Sequence, residues 1–346
     1  MSESGSGQAD PASDAVPLPS VSVALCTRNG MPYVTEQVQS ILDQTVEAAE
    51  IVLSDDASTD GTVEAVQGLV ARHHEERRTS LPRLVVLLND PALGVTANFE
   101  QAVRACTAEL IALCDQDDVW RHGRLDQITR EFRERPSLTL LHHDARLVDE
   151  SGTPLGTTLA RAIGFTASER RKEARGDAFD VLLRRNTVTG ATTVFRHELL
   201  AAAVPFPAAW VHDEWLAMIA SIVGHVDYLA VPLIDYRQHA SNQIGASKPT
   251  LADKVSRVVE PRTARNRRLA ARAQALAERV GHISDAPDRV LALAHGKVDH
   301  ERWRSSLPAS RIRRLLPVLF AGVRGRYHRF GRTRYDVARD LFQPAA

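Results

Sequence analysis

The stretch LIALCDQDDVW, Leu110–Trp120, places three aspartates within four positions directly behind a run of apolar residues. The apolar part lacks the alternation of a strand with one wet face, so it reads as a strand covered on both sides. Carboxylates this close repel one another unless something positive stands among them. Three more runs share the design: VSVALC (21–26), EIVLSD (50–55) and LVVLLN (84–89). Each ends where chemistry-capable residues begin, at Thr27 and Asn29, Asp55 and Asp56, Asn89 and Asp90, and Asp115 and Asp117.

Helical spacing fills the gaps between these runs. Val34, Val38, Ile41 and Leu42 share a face, as do Val63, Val66 and Val70, then Phe99, Val103 and Cys106, then Leu125, Ile128 and Phe132. Strand and helix alternating at this rhythm predict a parallel α/β sheet with right-handed crossovers and helices on both faces. Ligands of such sheets bind beyond the carboxyl ends of the strands, where the polar residues above would collect. Further on, LTLLHHDARLVD (138–149) reads as a strand, TGATTVFRHELL (189–200) as a strand leading through a turn to a helix, AWVHDEWLAMIASIVG (209–224) as a helix and VDYLAVPLIDYRQH (226–239) as strands around Pro232.

The chain has 346 residues, 44% of them hydrophobic, with 43 basic and 43 acidic side chains. That is enough for one large domain, or for one with a smaller helical addition. Cys26, Cys106 and Cys114 show no CxxC spacing, which points to a reducing compartment rather than a disulfide framework. Residues 1–19 read as a disordered polar tail, 20–250 as the main domain and 251–346 as a mainly helical, Arg-rich extension. No run approaches eighteen apolar residues, so no membrane span is expected and the location expected is cytoplasmic.

Three readings compete for the aspartates: a solvated turn, an acid/base pair for hydrolysis, and a site for a hard divalent cation. Mg²⁺ and Mn²⁺ take oxygen ligands and often need only one or two carboxylates when a diphosphate supplies the rest. If 115–117 is extended, Asp115 and Asp117 point the same way, which suits that third reading. There is no GxGxxG after the first strand and no GxxxxGK[ST], which disfavours a dinucleotide oxidoreductase or a P-loop enzyme.

Several pieces in order resemble the inverting glycosyltransferases of family 2, with the GT-A fold, closest to their rhamnosyltransferase-like members. They are VSVALCTRNG (21–30), QSILDQT (39–45), LSDDASTDGT (53–62), NDPALGVTANFEQAV (89–103), CDQDDVW (114–120), TGATTVF (189–195), VHDEW (211–215) and YRQHASNQIG (236–245). The resemblance implies a GT-A domain with a mostly parallel sheet and transfer of a sugar from a nucleoside-diphosphate donor to a saccharide or lipid-linked saccharide. It implies Mg²⁺ or Mn²⁺ on Asp117 and Asp115, and Asp213 as the catalytic base. The donor side would be formed by Thr27, Arg28, Asn29, Asp55, Asp56, Asp115, Gln116, Asp118, Arg237 and His239. The acceptor side would include His212, Glu214 and Trp215. Arg28 stands where the family often has an aromatic residue, and a guanidinium can also stack on a base. The alternative is an inactive nucleotide-sugar-binding protein of the same fold that acts in glycan assembly.

From Arg302 to Arg334 there are ten arginines and no acid. Anionic lipid attracts such a segment, which would place the protein peripherally at the inner face of the plasma membrane. The equal alternative is a helical addition packed on the domain with a solvated basic face. Pro317 is expected to interrupt any helix there. Charge alone is the case for nucleic acid, with no recognition motif beside it, so none is expected.

Overall fold

The computed structural model describes residues 17–239, 262–332 and 334–344. Most of the expected tail, the domain boundary at 250/251 and the last six residues of YRQHASNQIG lie outside them. The first half is built as β1 (Val21–Thr27), α1 (Tyr33–Leu42), β2 (Glu50–Asp55), α2 (Thr62–Arg77), β3 (Arg83–Leu88), α3 (Val95–Ala105) and β4 (Leu110–Cys114). These four strands pair in parallel in the order β3-β2-β1-β4. Their residues alternate between two cores. Val23, Leu25, Ile51, Leu53 and Ala112 face Val34, Val38 and Val66, whereas Ala24, Val52, Ile111 and Leu113 face Phe99 and Val103. Burial on both faces is why the runs carry so few polar residues.

The second half departs from the parallel sheet the sequence suggests. It contains β5 (Val119–Trp120), α4 (Arg124–Glu134), β6 (Leu138–Val148), β7 (Pro154–Thr158), α5 (Leu159–Ala162), α6 (Ala167–Ala174), α7 (Ala178–Leu182), β8 (Thr193–Arg196), α8 (Leu200–Ala203), α9 (His212–Val223) and β9 (His225–Arg237). The sheet continues β4-β8-β6-β9-β5, and β8 runs antiparallel to both β4 and β6. β9 is parallel to β6 and antiparallel to β5, so the whole sheet is mixed. β9 is one continuous strand through Pro232, with irregular register against β6 at His143–Ala145. Because β8 is reversed, it starts where β4 ends, with Ala112 opposite Val194. The turn before β8 therefore lies at the carboxyl edge of the parallel strands.

Among the described residues five helices form the extension: α10 (Arg262–Gly281), α11 (Asp288–Ser306), α12 (Arg311–Val323), α13 (Arg326–Phe330) and α14 (Arg334–Phe342). Leu276, Val280, Ala294 and Val298 join the same core as Trp215 and Met218, so the extension packs on the domain. The Arg279 guanidinium donates to the carbonyl of Ala202 at 2.6 Å, and Trp210 Nε1 donates to that of Arg272 at 3.0 Å. Arg304 is enclosed and satisfied by Asp340 at 2.6 and 3.0 Å and by Glu301 at 3.1 Å. Pro317 does not interrupt the helix as expected: α12 runs through it. Arg314, Val318 and Ala321 anchor both sides of the proline, and the Arg313 carbonyl that loses its partner belongs to an exposed residue that water can reach. The break falls at Gly325 instead, whose φ of +73° is open to glycine at little cost.

Candidate active site

The carboxyl edge is assembled from short loops laced to one another. Thr27 Oγ1 donates to Asp55 Oδ2 at 2.6 Å, and Ser58 donates to the same carboxylate through its backbone N–H (2.8 Å) and its hydroxyl (2.5 Å). Asn29, at φ +48°, takes the left-handed conformation asparagine tolerates. Its N–H donates to Ser58 Oγ at 2.7 Å and its Oδ1 accepts from Thr59 N–H at 2.9 Å. Asp60 is a turn residue, accepting from Thr62 N–H at 3.1 Å and Met31 N–H at 3.0 Å. Thr27 and Asp55 are thus turned inward, and the side chain of Arg28 is left exposed above them.

Asp56 is buried beneath the next loop, accepting from the N–H groups of Leu93 (2.6 Å) and Gly94 (2.9 Å). It fixes the start of α3, where Gly94 has φ +86°. Asn89 and Asn98 complete that support, with Asn89 Nδ2 donating to Asn98 Oδ1 at 3.0 Å. Gln116 joins the first and fourth loops. Its Oε1 accepts from Arg28 N–H at 2.8 Å and its Nε2 donates to the Arg28 carbonyl at 3.2 Å. A Cβ on Gly30 would stand 2.8 Å from Gln116 Oε1, so glycine is what admits this clamp.

The segment after β4 is bent at Gln116 and Asp117, not extended as expected, because Gln116 turns aside to Arg28. The three aspartates diverge. Asp115 is held by burial among like charges: desolvation first, then the charges of Asp117 and Asp213, push its carboxyl up to about 7. Asp117 Oδ2 lies 2.7 Å from His239 Nε2, whose ring stacks on Tyr33. Asp118 accepts from Arg237 N–H at 3.1 Å through Oδ1, and its Oδ2 is buried with no hydrogen-bond partner among the described residues. Burial and the two neighbouring carboxylates raise Asp118 strongly. Arg124 is the cation behind this cluster. It is fully enclosed over the Trp120 ring at 3.8 Å and donates to the Ala191 carbonyl at 3.0 Å.

Arg237 is a strut. Its Nε donates to the Asp117 carbonyl (2.9 Å), one terminal nitrogen donates to the Glu150 carbonyl (2.9 Å), and the other meets Glu36 at 2.5 Å. The guanidinium is buried against the Tyr33 ring, 4.9 Å from its centroid. It holds the backbone that carries Asp117.

Asp213 lies in the first turn of α9, where aligned N–H groups favour negative charge. Its Oδ1 accepts from Glu214 N–H at 2.7 Å and its Oδ2 from Gly190 N–H at 2.9 Å. Gly190 belongs to the turn before β8, and a Cβ there would come 3.1 Å from His212 Nε2. Burial pushes the Asp213 carboxyl up to about 6 against these stabilising hydrogen bonds. Each carboxylate oxygen keeps a second lone pair for an incoming proton.

The residues expected on the acceptor side separate. Trp215 is 0% exposed, with its Nε1 donating to the Ala203 carbonyl at 2.7 Å, so it is a core residue and offers no wall to a ligand. His212 is also buried, its ring stacked on Phe99 at 3.8 Å, and burial drives its pKa down to about 3. Glu214 faces the extension, where it pairs with Arg272. Sequence reading did not pick out Tyr33, Glu36, Arg124, Gly190 or Arg272. Gly190 had a signal, as the glycine of TGATT; the others act through contacts that no local pattern encodes.

The aspartate set fits a hard divalent cation. Its donors are carboxylate oxygens, burial and the neighbouring carboxylates raise the proton affinity of Asp115 and Asp118, and one buried oxygen has no partner among the described residues. Among the described residues no three His, Cys, Asp or Glu side chains form a ready cage.

The family model described as "Glycosyl transferase family 2" matches residues 22–198, just over half of the chain. An uncharacterized protein of Mycobacterium tuberculosis, Rv1520, is 26% identical over 225 residues, 64% of this chain and 59% of that protein. The chain thus spans about three fifths of the length of such a relative. TuaG of Bacillus subtilis, a "putative teichuronic acid biosynthesis glycosyltransferase", is 25% identical over 240 residues, 68% of this chain and 85% of that one. The structure of S. aureus TarS 1–349 in complex with UDP-GlcNAc superimposes with a TM-score of 0.57 at 16% identity, covering 92% of this chain and 89% of that one. That likeness shows a GT-A-like fold with a Rossmann-type core.

His212 supplies a pH test of this geometry. A histidine whose folded pKa lies below its unfolded value of about 6.5 resists protonation only when folded, so stability falls as pH drops from 6.5 towards 3. Between pH 7.5 and 4.5 the wild type is expected to lose about 3 kcal/mol more than His212→Leu, measured by urea unfolding. Equal losses in the two proteins would show that the ring is not held neutral.

Proposed function

The chain belongs to glycosyl transferase family 2, and on that premise we propose that it is a metal-dependent inverting glycosyltransferase. It moves a sugar from a nucleoside-diphosphate donor to a saccharide or lipid-linked saccharide acceptor in surface polysaccharide assembly. One observation carries the reading. The reversed β8 sets Gly190, and through it Asp213, at the same sheet edge as Asp115 and Asp117, close enough for the Asp213 charge to act on Asp115. A base and an acidic loop suited to a cation, facing each other, are what single displacement from a diphosphate donor needs. The wording of the TuaG name and the nucleotide sugar held by TarS support the donor and acceptor classes. L-rhamnose is the sugar that the ordered motifs favour.

Asp213 takes the proton of the acceptor hydroxyl as its oxygen attacks the anomeric carbon. The bond from that carbon to the diphosphate oxygen breaks on the opposite face, so the configuration inverts. Gly190 and Glu214 N–H groups keep the carboxylate aimed during the transfer. Arg28 lies exposed at the rim, available to the nucleobase, on a turn that Gln116, Thr27, Asn29 and Asp55 hold rigid. Asp56 and Asp118 shape the two loops that bracket it. Mg²⁺ or Mn²⁺ on Asp117 and Asp115 would stabilise the charge of the leaving diphosphate. Arg237 holds Asp117 in place, and His239 shares its carboxylate.

Among the described residues no helix is long and apolar enough to cross a membrane. The reading places the protein in the cytoplasm, with α12 resting on the membrane. Ile312, Leu316, Phe320 and Val323 are exposed on that helix at 86, 76, 57 and 89%. Arg311, Arg313 and Arg324 are exposed beside them. An apolar stripe rimmed by arginine suits an anionic lipid interface, where each basic residue contributes roughly 1 kcal/mol.

Two outcomes are expected. First, Asp213→Asn is expected to lower transfer by about 10²–10⁴ with donor binding retained. In the wild type kcat/KM is expected to fall below pH of about 6, because the base must be ionised. A panel of UDP-, dTDP- and GDP-sugars, with nucleoside diphosphate release followed in Mn²⁺ and in EDTA, checks both. Full activity of Asp213→Asn, or release indifferent to EDTA, would remove the reading. Second, the wild type is expected to sediment with phosphatidylglycerol vesicles and Ile312→Gln/Leu316→Gln/Val323→Gln to stay in solution. Wild-type protein left in the supernatant would dismiss the membrane contact alone.

A further inference from the structure

A cleft of about 200 Å³ lies between the catalytic domain and the C-terminal helices. Eight Arg or Lys side chains line it against three acids, and Glu169 on Arg185 and Asp340 on Arg304 add two carboxylates behind the lining, so positive charge stays in excess. Each acid is already matched. Glu214 pairs with Arg272, Asp336 with Arg265 at 2.9 Å and Arg304 at 3.4 Å, and Glu301 with Lys297 at 2.8 Å and Arg304 at 3.1 Å. Arg332 enters the same space, with its backbone N–H on Asp336 Oδ2 at 2.7 Å. Arg332 keeps an exposed side, and partial desolvation first, then the like charges of Arg185 and Arg265, lower its pKa against the opposing charges of Asp336 and Glu214. Guanidinium groups gathered in a partly buried cleft repel one another, and an anion with several oxygens relieves that repulsion through paired N–H donors.

The place of the cleft gives the anion a role. Glu214 follows Asp213 in the chain, and Arg272, packed 4.2 Å over the Trp210 ring, reaches the Asp213 carboxylate with its charge. Arg184 and Arg185 lead into the turn where Gly190 holds that carboxylate. The walls are therefore the chain neighbours of the base and of its support. The donor loops at Thr27–Gly30 and Asp115–Asp118 contribute no lining residue. We propose that this cleft binds a phosphoryl group of the acceptor, so that the molecule receiving the sugar is a phosphate-bearing saccharide, free or lipid-linked. The proposal rests on the glycosyltransferase reading above and names the acceptor's chemistry.

Titration calorimetry with inorganic pyrophosphate in EDTA isolates the cleft, because the acidic donor loop repels an anion without a cation. Wild type and Asp117→Asn are expected to bind it alike, and Arg332→Gln and Arg272→Gln to bind about tenfold or more weakly. Arg332→Gln keeps the test valid if removing the partner of Glu214 unsettles the fold. Hexose 1-phosphate is expected to displace the probe. No pyrophosphate binding by the wild type, affinity indifferent to both arginine variants, or displacement only by phosphatidylglycerol vesicles would each overturn the proposal. Binding of UDP, dTDP or GDP with Mn²⁺, measured on the same preparations, reports the donor site separately. If that binding holds and pyrophosphate fails, the cleft assignment falls and the transferase reading stands.

Discussion

Carboxylates that are buried together behind β4 and at the head of α9 set the terms for everything around them. Asp115 and Asp118 have a raised proton affinity because burial removes water and the neighbouring carboxylates add repulsion, and Asp213 has one through burial alone. A folded chain tolerates such a cluster only when the surrounding structure fixes it from several sides. Arg124 lies behind it, Arg237 braces its loop through Asp117, Glu150 and Glu36, and backbone N–H groups bind Asp213. The cluster is a store of negative charge to which a cation and a diphosphate supply the missing partners.

The mixed sheet is what makes the cluster two-sided. Four parallel strands can deliver polar loops to one edge, but only from their own carboxyl ends. Reversal of β8 brings a turn back to that edge, and the N–H of Gly190 reaches Asp213 on α9 from there. The donor loops and the base thus come from opposite strand directions. The C-terminal helices then close the flank beside Glu214, sharing their core with Trp215 and Met218.

Much of this was legible in the sequence, for physical reasons. Buried parallel strands announce themselves as short apolar runs, and the edge they share follows from the crossover rule. That was enough to place Thr27, Asp55, Asp115 and Asp117 together. Antiparallel pairing in the second half was not legible, because TGATTVF and VDYLAVPLIDYR have no local mark of direction. The bend at Gln116 was missed because it depends on an amide reaching 88 residues back to Arg28. The sequence leaves Trp215 open between the core and the acceptor side, because composition does not reveal which side of an apolar helix meets a ligand. Pro317 was read as a break, yet the helix it sits in is held by Arg314, Val318 and Ala321, and tertiary packing outweighed one lost hydrogen bond. The roles of Arg237 and Arg124 depend on long-range contacts of single charged residues, and sequence patterns carry no information about those.

The measurement closest to the central claim is the affinity of the free protein for UDP, dTDP and GDP in Mn²⁺ and in EDTA, read by calorimetry alongside the Mn²⁺ paramagnetic signal. The account predicts that one diphosphate binds tightly with Mn²⁺, that the free Mn²⁺ signal falls only when diphosphate is present, and that EDTA weakens binding by about a hundredfold or more. Equal affinity in Mn²⁺ and EDTA would contradict it, because the carboxylate cluster would then have no part in holding the donor.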